Sequence, residues 1–268
     1  MSHLYPVGIQ SFEEVRKGNY CYVDKTALIY QLVKTNKYYF LSRPRRFGKS
    51  LLISTLEAYF LGKKELFKGL ALDELEKDWI TYPVLHLDLN TQKYNTPEAL
   101  TNVLEENLKN WEDLYGASDR EIGVARRFNG VIRRAAEKTG RNVVILVDEY
   151  DKPMLQAIGN EELLSEYRST LKAFYGVLKS CDPYIRFALL TGVTKFSKVS
   201  VFSDLNNLMD ISMSNRFANI CGITEQELHT EFKEDILTLA QKNNATEDEV
   251  KQLLFQQLFN FVFCRVVF

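Results

Sequence analysis

The chain has 268 residues, of which 46% are hydrophobic and 26% charged, and its formal net charge is −1 at pH 7. This length suits one large α/β domain, alone or with an appendage, and the balanced charge argues against a protein that binds mainly by neutralising nucleic-acid phosphates. Four widely spaced cysteines without a C-x-x-C motif argue against zinc and disulfide frameworks and fit a reducing cytoplasm, and the N-terminus has no signal-peptide pattern.

The N-terminal part of the chain is predicted to form short helices, a strand and a longer helix. The short helices fall within residues 11–36, and the strand is the apolar and aromatic run at 38–41. From Leu51 to near Gly62, apolar residues recur at three- and four-residue spacing, which predicts an amphipathic helix. Between strand and helix, residues 43–50 have the sequence Arg-Pro-Arg-Arg-Phe-Gly-Lys-Ser, which is typical of a phosphate-binding loop.

The Gly-Lys-Ser end of this loop has the chemistry that phosphate binding requires. Gly48 lets the backbone approach a phosphate, Lys49 reaches the β and γ phosphates, and the Ser50 hydroxyl can bind Mg²⁺. The helix that follows directs its N-terminal N–H groups at the same anion. Arg43 replaces the first Gly of the general pattern, so the loop alone is a partial match. The predicted nucleotide contacts are Arg45, Arg46, Phe47, Gly48, Lys49, Ser50 and Leu51.

Three of the first four residues of this loop are arginines. The guanidinium groups of Arg45 and Arg46 suit triphosphate oxygens, whereas Arg43 is expected to pair with an acidic residue. The alternative for all three is a solvated basic turn.

The middle of the chain alternates strands with helices, predicted as a strand at 84–89, helices at 97–111 and 121–138, and a strand at 143–147. The last of these is a run of five branched apolar residues, which is typical of a strand covered on both faces. It ends in Asp148 and Glu149.

Two adjacent carboxylates at the carboxyl edge of a buried sheet are costly unless a cation lies nearby. We therefore predict that Asp148 holds Mg²⁺ or its water, and that Glu149 orients and deprotonates an attacking water. The alternative is an acidic strand end that merely faces solvent, which is common in isolation. A Gly-Lys-Ser loop about a hundred residues upstream favours the functional interpretation.

The remaining predicted elements are a long helix at 161–180, a strand at 186–191 and a weaker strand at 209–212. The polar end of the strand at 186–191 carries Thr191 and Thr194, either of which could bond the γ phosphate or the attacking water. An ordinary turn is the alternative.

Arg216 and His86 each have a possible functional role and a simpler structural explanation. Arg216 could act as an arginine finger or an internal sensor, although a lone arginine is more often a surface residue. His86 alternates with apolar residues on a strand and is interpreted as a packed histidine of the core.

Taken together, five segments resemble one family, the bacterial AAA-ATPase-like proteins. These segments are residues 22–26, 40–50, 148–153, 190–197 and 221–224. The resemblance spans about residues 5 to 235, and the loop of this family has the same sequence, so Arg43 is no departure from it. Members are commonly encoded with a C-terminal nuclease-like domain of the PD-(D/E)XK type.

The resemblance implies an α/β fold, a three-layer P-loop NTPase of the additional-strand, AAA-like type with a mostly parallel central sheet and helices on both faces. Alternating strands and helices independently predict such a sheet. The resemblance also implies ATP and Mg²⁺ as ligands, with Walker A residues Lys49 and Ser50. The expected catalytic residues are Glu149, Lys49, Thr191 and Thr194, and the expected metal ligands are Ser50 and Asp148.

The C-terminus departs from the family pattern. Residues 252–268 carry one charge, and this tail is short of the ~20 apolar residues of a membrane span and is interrupted by Gln256, Gln257 and Asn260. We therefore expect no membrane contact. Residues 1–235 are expected to form the ATPase-like domain, and residues 236–268 a truncated or frameshifted helical appendage from which the nuclease-like half is missing.

The sequence predicts Mg²⁺-dependent ATP binding and hydrolysis by the regulatory or motor half of a nuclease-linked protein in the cytoplasm. The main alternative is a nucleotide-gated interaction switch with little or no hydrolysis. A nucleic-acid-processing subunit, a phosphotransfer kinase, a homo-oligomer and a preference for GTP are left open. The Asp-Glu pair on a buried strand favours water over a kinase substrate as the acceptor.

Overall fold

A parallel sheet forms the centre of the protein. A computed structural model describes residues 4–195, 201–202, 205 and 207–263, although not the side chains of residues 255 and 257–263. Within these residues the strands are β1 (Tyr38–Ser42), β2 (Val84–Asp88), β3 (Val143–Asp148), β4 (Ile185–Gly192) and β5 (Met209–Asp210). They pair in the order β2-β3-β4-β1-β5, and every pair is parallel. β4 is the additional strand between β1 and β3, so the predicted fold class is confirmed.

Helices cover both faces of this sheet and complete the three layers. On one face lie α1 (Phe12–Lys17), α2 (Thr26–Thr35), α3 (Lys49–Phe60) and α4 (Ala71–Leu75). On the other face lie α5 (Pro97–Tyr115), α6 (Val124–Thr139), α7 (Lys152–Gln156) and α8 (Glu161–Ser180).

The β3 strand divides its side chains between the two layers. Val143, Ile145 and Val147 pack against the α5 to α8 layer, whereas Val144 and Leu146 pack against the α1 to α4 layer. Successive side chains of a strand point to opposite faces, so a strand covered on both sides needs apolar residues at every position. All six residues of β3 are buried, which is why its sequence is a continuous apolar run rather than an alternation.

Most predicted elements are confirmed with small changes at their ends. The strands at 38–41, 84–89, 143–147 and 186–191 match β1 to β4 within one residue at either end. The weaker prediction at 209–212 contains only the two residues of β5. Helix α6 ends where expected, because Gly140 adopts the left-handed conformation, φ +63°, that terminates helices.

The described chain continues beyond β5 with α9 (Glu225–Glu231), α10 (Lys233–Asn243) and α11 (Glu247–Phe263). Three side chains, Ile236, Ala240 and Val250, form a small buried cluster on α10 and α11. The predicted domain division at residue 235 stays a prediction.

Residues 264–268 of the tail and residues 196–197 of the family motif lie outside the described residues. No helix in the described ranges has the length and apolar character that a membrane crossing requires.

The strand register aligns the residues that carry the predicted chemistry. Ser42, the last residue of β1, is paired with Gly192 of β4, and Asp88 of β2 is paired with Asp148 of β3. Because the strands are parallel, their carboxyl ends lie at one edge, the position where open α/β sheets bind ligands.

The central aromatic packing generates a stability prediction. Phe187 on β4 has no exposed surface, and its ring centroid lies 5.7 Å from that of Tyr39 and 5.2 Å from that of Phe60. We expect Phe187→Ala to lower the free energy of unfolding by about 3–5 kcal/mol because it leaves a cavity in the sheet layer. Urea denaturation followed by circular dichroism measures this change.

The control is Leu114→Ala, at a side chain on α5 that is 60% exposed, which should change the free energy of unfolding by less than about 0.5 kcal/mol. A Phe187→Ala loss as small as that of the control would contradict the assigned packing.

Candidate functional site

The predicted phosphate loop is the turn between β1 and α3. Gly48 adopts a left-handed conformation, φ +84°, immediately before Lys49 begins the helix. Glycine reaches this conformation at low cost, which explains its place in the loop. No side chain caps the start of this 12-residue helix, which leaves its N-terminal N–H groups for an anion.

The ammonium group of Lys49 is buried at the base of this loop. The residue is 3% exposed, and its Nζ lies 3.1 Å from Oε1 of Glu149. It also donates to the carbonyl oxygens of Arg43 at 3.2 Å and Pro44 at 3.4 Å. The Lys49 ammonium is therefore held between the loop backbone and an acid at the end of β3.

The carboxylate of Asp148 receives hydroxyl groups from two directions. Its Oδ2 accepts a hydrogen bond from Ser50 Oγ at 2.6 Å, and its Oδ1 accepts one from Thr191 Oγ1 at 2.5 Å. Asp148 is 4% exposed. Three oxygen-bearing side chains from β3, β4 and the start of α3 thus meet at one point, and oxygen ligands are those that Mg²⁺ prefers.

Glu149 is held in an unusual backbone conformation and a low-polarity environment. Its φ of +55° is uncommon for a residue with a side chain. Burial raises the pKa of its carboxyl above the usual 4.5, the Lys49 ammonium opposes this rise, and the carboxylates of Asp148 and Asp151 add to it. A raised pKa suits a group that accepts a proton near neutral pH.

The two candidate sensor threonines occupy different environments. Thr191 is fully buried and bonds Asp148 directly. Thr194 instead donates from its backbone N–H at 2.7 Å and from its hydroxyl at 2.8 Å to Oδ2 of Asp151. Only Thr191 therefore contacts the predicted metal-binding carboxylate.

A pocket of about 1130 Å³ adjoins the loop. The loop residues 45–51, which include all seven predicted nucleotide contacts, line it together with Glu149. Residues 5–10 of the N-terminal segment and residues 220–223 line it as well. The pocket therefore has a charged side at the loop and a largely apolar side built from the N-terminal segment and from the residues that precede α9.

Several polar residues of this pocket were not predicted from the sequence, and three of them, Lys25, Asn90 and Lys152, lie in or beside the motif segments. Lys25 is 8% exposed and pairs with Glu227 of α9, and Lys152 donates to the carbonyl oxygen of Asn90 at 3.2 Å. All three missed residues line the pocket. Lys25 and Lys152 lie inside the motif segments 22–26 and 148–153, and Asn90 follows the end of β2. Their position in or beside these segments is the signal that could have found them.

Arg43 has backbone partners where an acidic side chain was expected. Among the described residues, its guanidinium group bonds the carbonyl oxygens of Ser212 and, at 3.4 Å, Ala218, and no hydrogen bond or ion pair joins it to a described acidic side chain. The reason is the path of the chain, since the turn after β5 passes beside the start of the phosphate loop and presents its backbone. Arg43 therefore ties the loop to the segment that leads into α9.

The structure does not bring Arg216 or His86 to the pocket lining within the described residues. The Arg216 guanidinium lies 5.3 Å from the ring centroid of Phe217, and its Nε donates to Gln31 at 3.4 Å. His86 Nδ1 lies 3.0 Å from Oε2 of Glu57 on α3, so this histidine joins β2 to the helix of the phosphate loop.

Comparison with known proteins agrees with this architecture. A family model described as Predicted AAA-ATPase matches residues 6–202. A protein of Azotobacter chroococcum mcd 1, described as an uncharacterized protein in the vnfD 5' region, is 42% identical over 233 residues, which are 86% of this chain and 45% of that relative. The chain thus spans less than half the length of this relative. No solved structure matches the chain. Because the family match covers most of the chain and the sheet has the order expected of the fold, the chain belongs to the AAA-ATPase-like family.

Proposed function

We propose that this protein binds ATP together with Mg²⁺ and hydrolyses the γ-phosphate bond. The observation that carries the proposal is that the ion pair of Lys49 with Glu149 and the hydrogen-bonded pair of Ser50 with Asp148 lie beside the same pocket. Lys49 Nζ lies 3.1 Å from Glu149, and Ser50 Oγ lies 2.6 Å from Asp148. A phosphate-binding amine, a metal-binding pair and a carboxylate base are therefore within reach of the same triphosphate.

The loop residues would bind the phosphates. Lys49 supplies a charge that is already desolvated, and the N–H groups at the start of α3 add the positive end of a helix dipole. Arg45 and Arg46 are exposed side chains at the rim of the pocket, where their guanidinium groups suit the outer phosphate oxygens. Phe47, Gly48 and Leu51 complete the pocket lining.

Ser50 and Asp148 fit an Mg²⁺ ion by the chemistry of their donor atoms. Both side chains present oxygen atoms, which Mg²⁺ prefers as ligands. Asp148 is a buried carboxylate, and the side chains that donate hydrogen bonds to it in the described structure are neutral hydroxyl groups. When bound, the ion would neutralise charge on the β and γ phosphates. Thr191 would keep the Asp148 carboxylate in one orientation through their hydrogen bond.

Glu149 would act as the general base. Its raised pKa favours acceptance of the proton of an attacking water, and its position one residue beyond Asp148 keeps it at the sheet edge. To do so, its carboxylate must separate from Lys49, which then turns to the phosphates. Binding of nucleotide and release of the base would thus be linked.

The same ion pair supports the second candidate, a nucleotide-gated switch with little or no hydrolysis. While Glu149 stays bonded to Lys49, the base is engaged and the phosphate-binding amine is partly neutralised. A protein with this arrangement could bind nucleotide and change shape for a partner before it turns over. Measured affinity with no phosphate release would select this candidate.

The wider assignments belong to this proposal as well. The relative is more than twice as long as the aligned region, which supports a longer protein in which an ATPase unit is joined to another part, the nuclease-like half in our proposal. Contact with nucleic acid through that part, a homo-oligomer and a cytoplasmic setting are proposed on the same basis. Titration calorimetry with ATP and GTP, with and without Mg²⁺, tests the nucleotide preference.

Two substitutions separate binding from chemistry. We expect Lys49→Ala to weaken ATP binding by about 10- to 100-fold, because loss of a hydrogen bond to a charged group costs about 1.5–3 kcal/mol. We expect Glu149→Gln to retain ATP binding and to lower kcat by about 10²- to 10⁴-fold, as loss of a general base does. Calorimetry measures the binding, and a phosphate-release assay measures the turnover.

The matched control for the first variant is Lys109→Ala, at an exposed lysine of α5 that pairs with Asp113. It should leave both quantities unchanged. Unchanged turnover in Glu149→Gln would show that Glu149 is not the base, and unchanged ATP affinity in Lys49→Ala would overturn the proposed site.

The buried acid also generates a pH prediction for the free protein. Because the pKa of Glu149 is raised on folding, its contribution to stability is present below about pH 4.5 and is lost as the pH rises through the raised pKa. We therefore expect Glu149→Gln, which cannot ionise, to have a higher Tm than wild type at about pH 7, with the difference shrinking towards about pH 4. Thermal unfolding followed by circular dichroism measures the Tm.

Glu106→Gln, the same change on the exposed side of α5, controls for the loss of one formal charge. A Glu149→Gln protein less stable than wild type at neutral pH would show that the bond to Lys49 outweighs the cost of burial.

A further inference from the structure

Asp151 is a fully buried carboxylate that none of the roles above uses. It has no exposed surface and lies three residues beyond Asp148, directly before α7. Burial of a carboxylate is costly unless hydrogen-bond donors satisfy it. Its donors therefore indicate what it holds in place.

The donors described for Asp151 are Val193 and Thr194, in the segment of residues 191–194 that comprises the end of β4 and the start of the loop after it. This segment is called the loop below. The backbone N–H of Val193 lies 3.2 Å from both carboxylate oxygens. Thr194 adds its backbone N–H at 2.7 Å and its hydroxyl at 2.8 Å. Three donors converge on one side chain, and all three reach its Oδ2 atom, which is therefore held by charge-assisted hydrogen bonds.

The same loop touches both halves of the candidate site. Arg43, at the start of the phosphate loop, donates its N–H to the carbonyl oxygen of Gly192 at 3.1 Å, and Ser42 Oγ donates to that of Val193 at 3.0 Å. On the other side, the Tyr150 N–H donates to the carbonyl oxygen of Thr191 at 2.9 Å. The loop is thus a bridge from the phosphate loop to the end of β3.

The packing around this bridge leaves little freedom. A Cβ built on Gly192 would lie 2.5 Å from ring carbons of Tyr150 and 2.7 Å from Oδ1 of Asp151. Real Cβ atoms do not approach other atoms this closely. The Asp151 carboxylate and the Tyr150 ring therefore fix the loop by contact as well as by hydrogen bonds.

We propose that Asp151 is a positioning residue that holds Thr191 against the metal-binding carboxylate of Asp148. Thr191 Oγ1 bonds Oδ1 of Asp148 at 2.5 Å, and the other oxygen, Oδ2, is the one that meets Ser50. The backbone N–H of Glu149 also donates to Oδ1, at 3.0 Å, so the Thr191 hydroxyl is one of two donors that orient the carboxylate. If the loop shifts, Asp148 loses the shorter of these two bonds, and the orientation that directs Oδ2 at Ser50 is less firmly held. This inference rests on the proposed function, because it concerns the Mg²⁺ dependence of the same site.

Asp151→Asn tests the proposal, because it replaces one acceptor oxygen by an NH₂ group and removes the negative charge that strengthens the hydrogen bonds from Val193 and Thr194. Calorimetry with ATP in EDTA and across a Mg²⁺ titration provides a readout that does not depend on turnover. We expect ATP affinity in EDTA within about threefold of wild type, whereas the Mg²⁺ concentration for half-maximal tightening rises by about 10- to 100-fold, the usual effect of losing a partner of a metal ligand. In the turnover assay, kcat should fall by a similar factor of about 10 to 100 with little change in KM.

Thr194→Val removes only one of the three donors and should shift the Mg²⁺ dependence in the same direction by a smaller factor. Val193→Ala keeps the backbone N–H groups and is the matched control, which should resemble wild type. If Asp151→Asn does not fold, the comparison of Thr194→Val with Val193→Ala decides.

The positioning role would be overturned if a folded Asp151→Asn protein had the Mg²⁺ dependence and the kcat of wild type. If Asp151→Asn does not fold, the same result in Thr194→Val would overturn it. Either result would leave the proposed function intact. Failure of the wild-type protein to bind nucleotide would instead overturn the proposed function, and the positioning role with it.

Discussion

The hydrogen bonds of the Asp148 carboxylate are the interactions on which the candidate site depends. One oxygen meets Ser50 at the start of α3, and the other meets Thr191 at the end of β4. These bonds form only because β1, β4 and β3 are adjacent and parallel, so that their carboxyl ends meet at one edge. β4 alone lies between β1, which leads into the phosphate loop, and β3, which carries the acids, and each further strand between them would add about 5 Å to their separation.

The buried charges around this carboxylate are balanced in different ways. Lys49 and Glu149 compensate each other by direct contact, whereas Asp151 is satisfied by backbone N–H groups and a hydroxyl. Under the proposed function the first arrangement would exchange partners, because a bound phosphate would replace the Glu149 carboxylate on Lys49. The second cannot, because its donors are fixed by the chain. The candidate site thus places an ion pair beside a carboxylate that is held by donors of the chain, and the proposed phosphoryl transfer would depend on such positioning.

The sequence predicted the strands and the phosphate loop because their signals are local. The continuous apolar run of β3 requires burial on both faces, and Gly48-Lys49-Ser50 has chemistry that few other structures need. The choice between Thr191 and Thr194, the partners of Arg43 and the place of Lys25 in the pocket could not be predicted, because each depends on where a loop passes after a strand ends. Asp151 was part of a recognised segment, yet its role appears only when the bonds to residues 193 and 194 are known.

The contacts of Arg43 have a consequence for how this family is compared. Its guanidinium group binds carbonyl oxygens of Ser212 and Ala218, and every amino acid has such a carbonyl. The residues at 212 and 218 can therefore change during evolution without loss of the clamp, while the arginine cannot. Correlated substitutions, which reveal many long-range contacts, would not detect this one, although it connects the predicted phosphate loop to the segment that leads into α9.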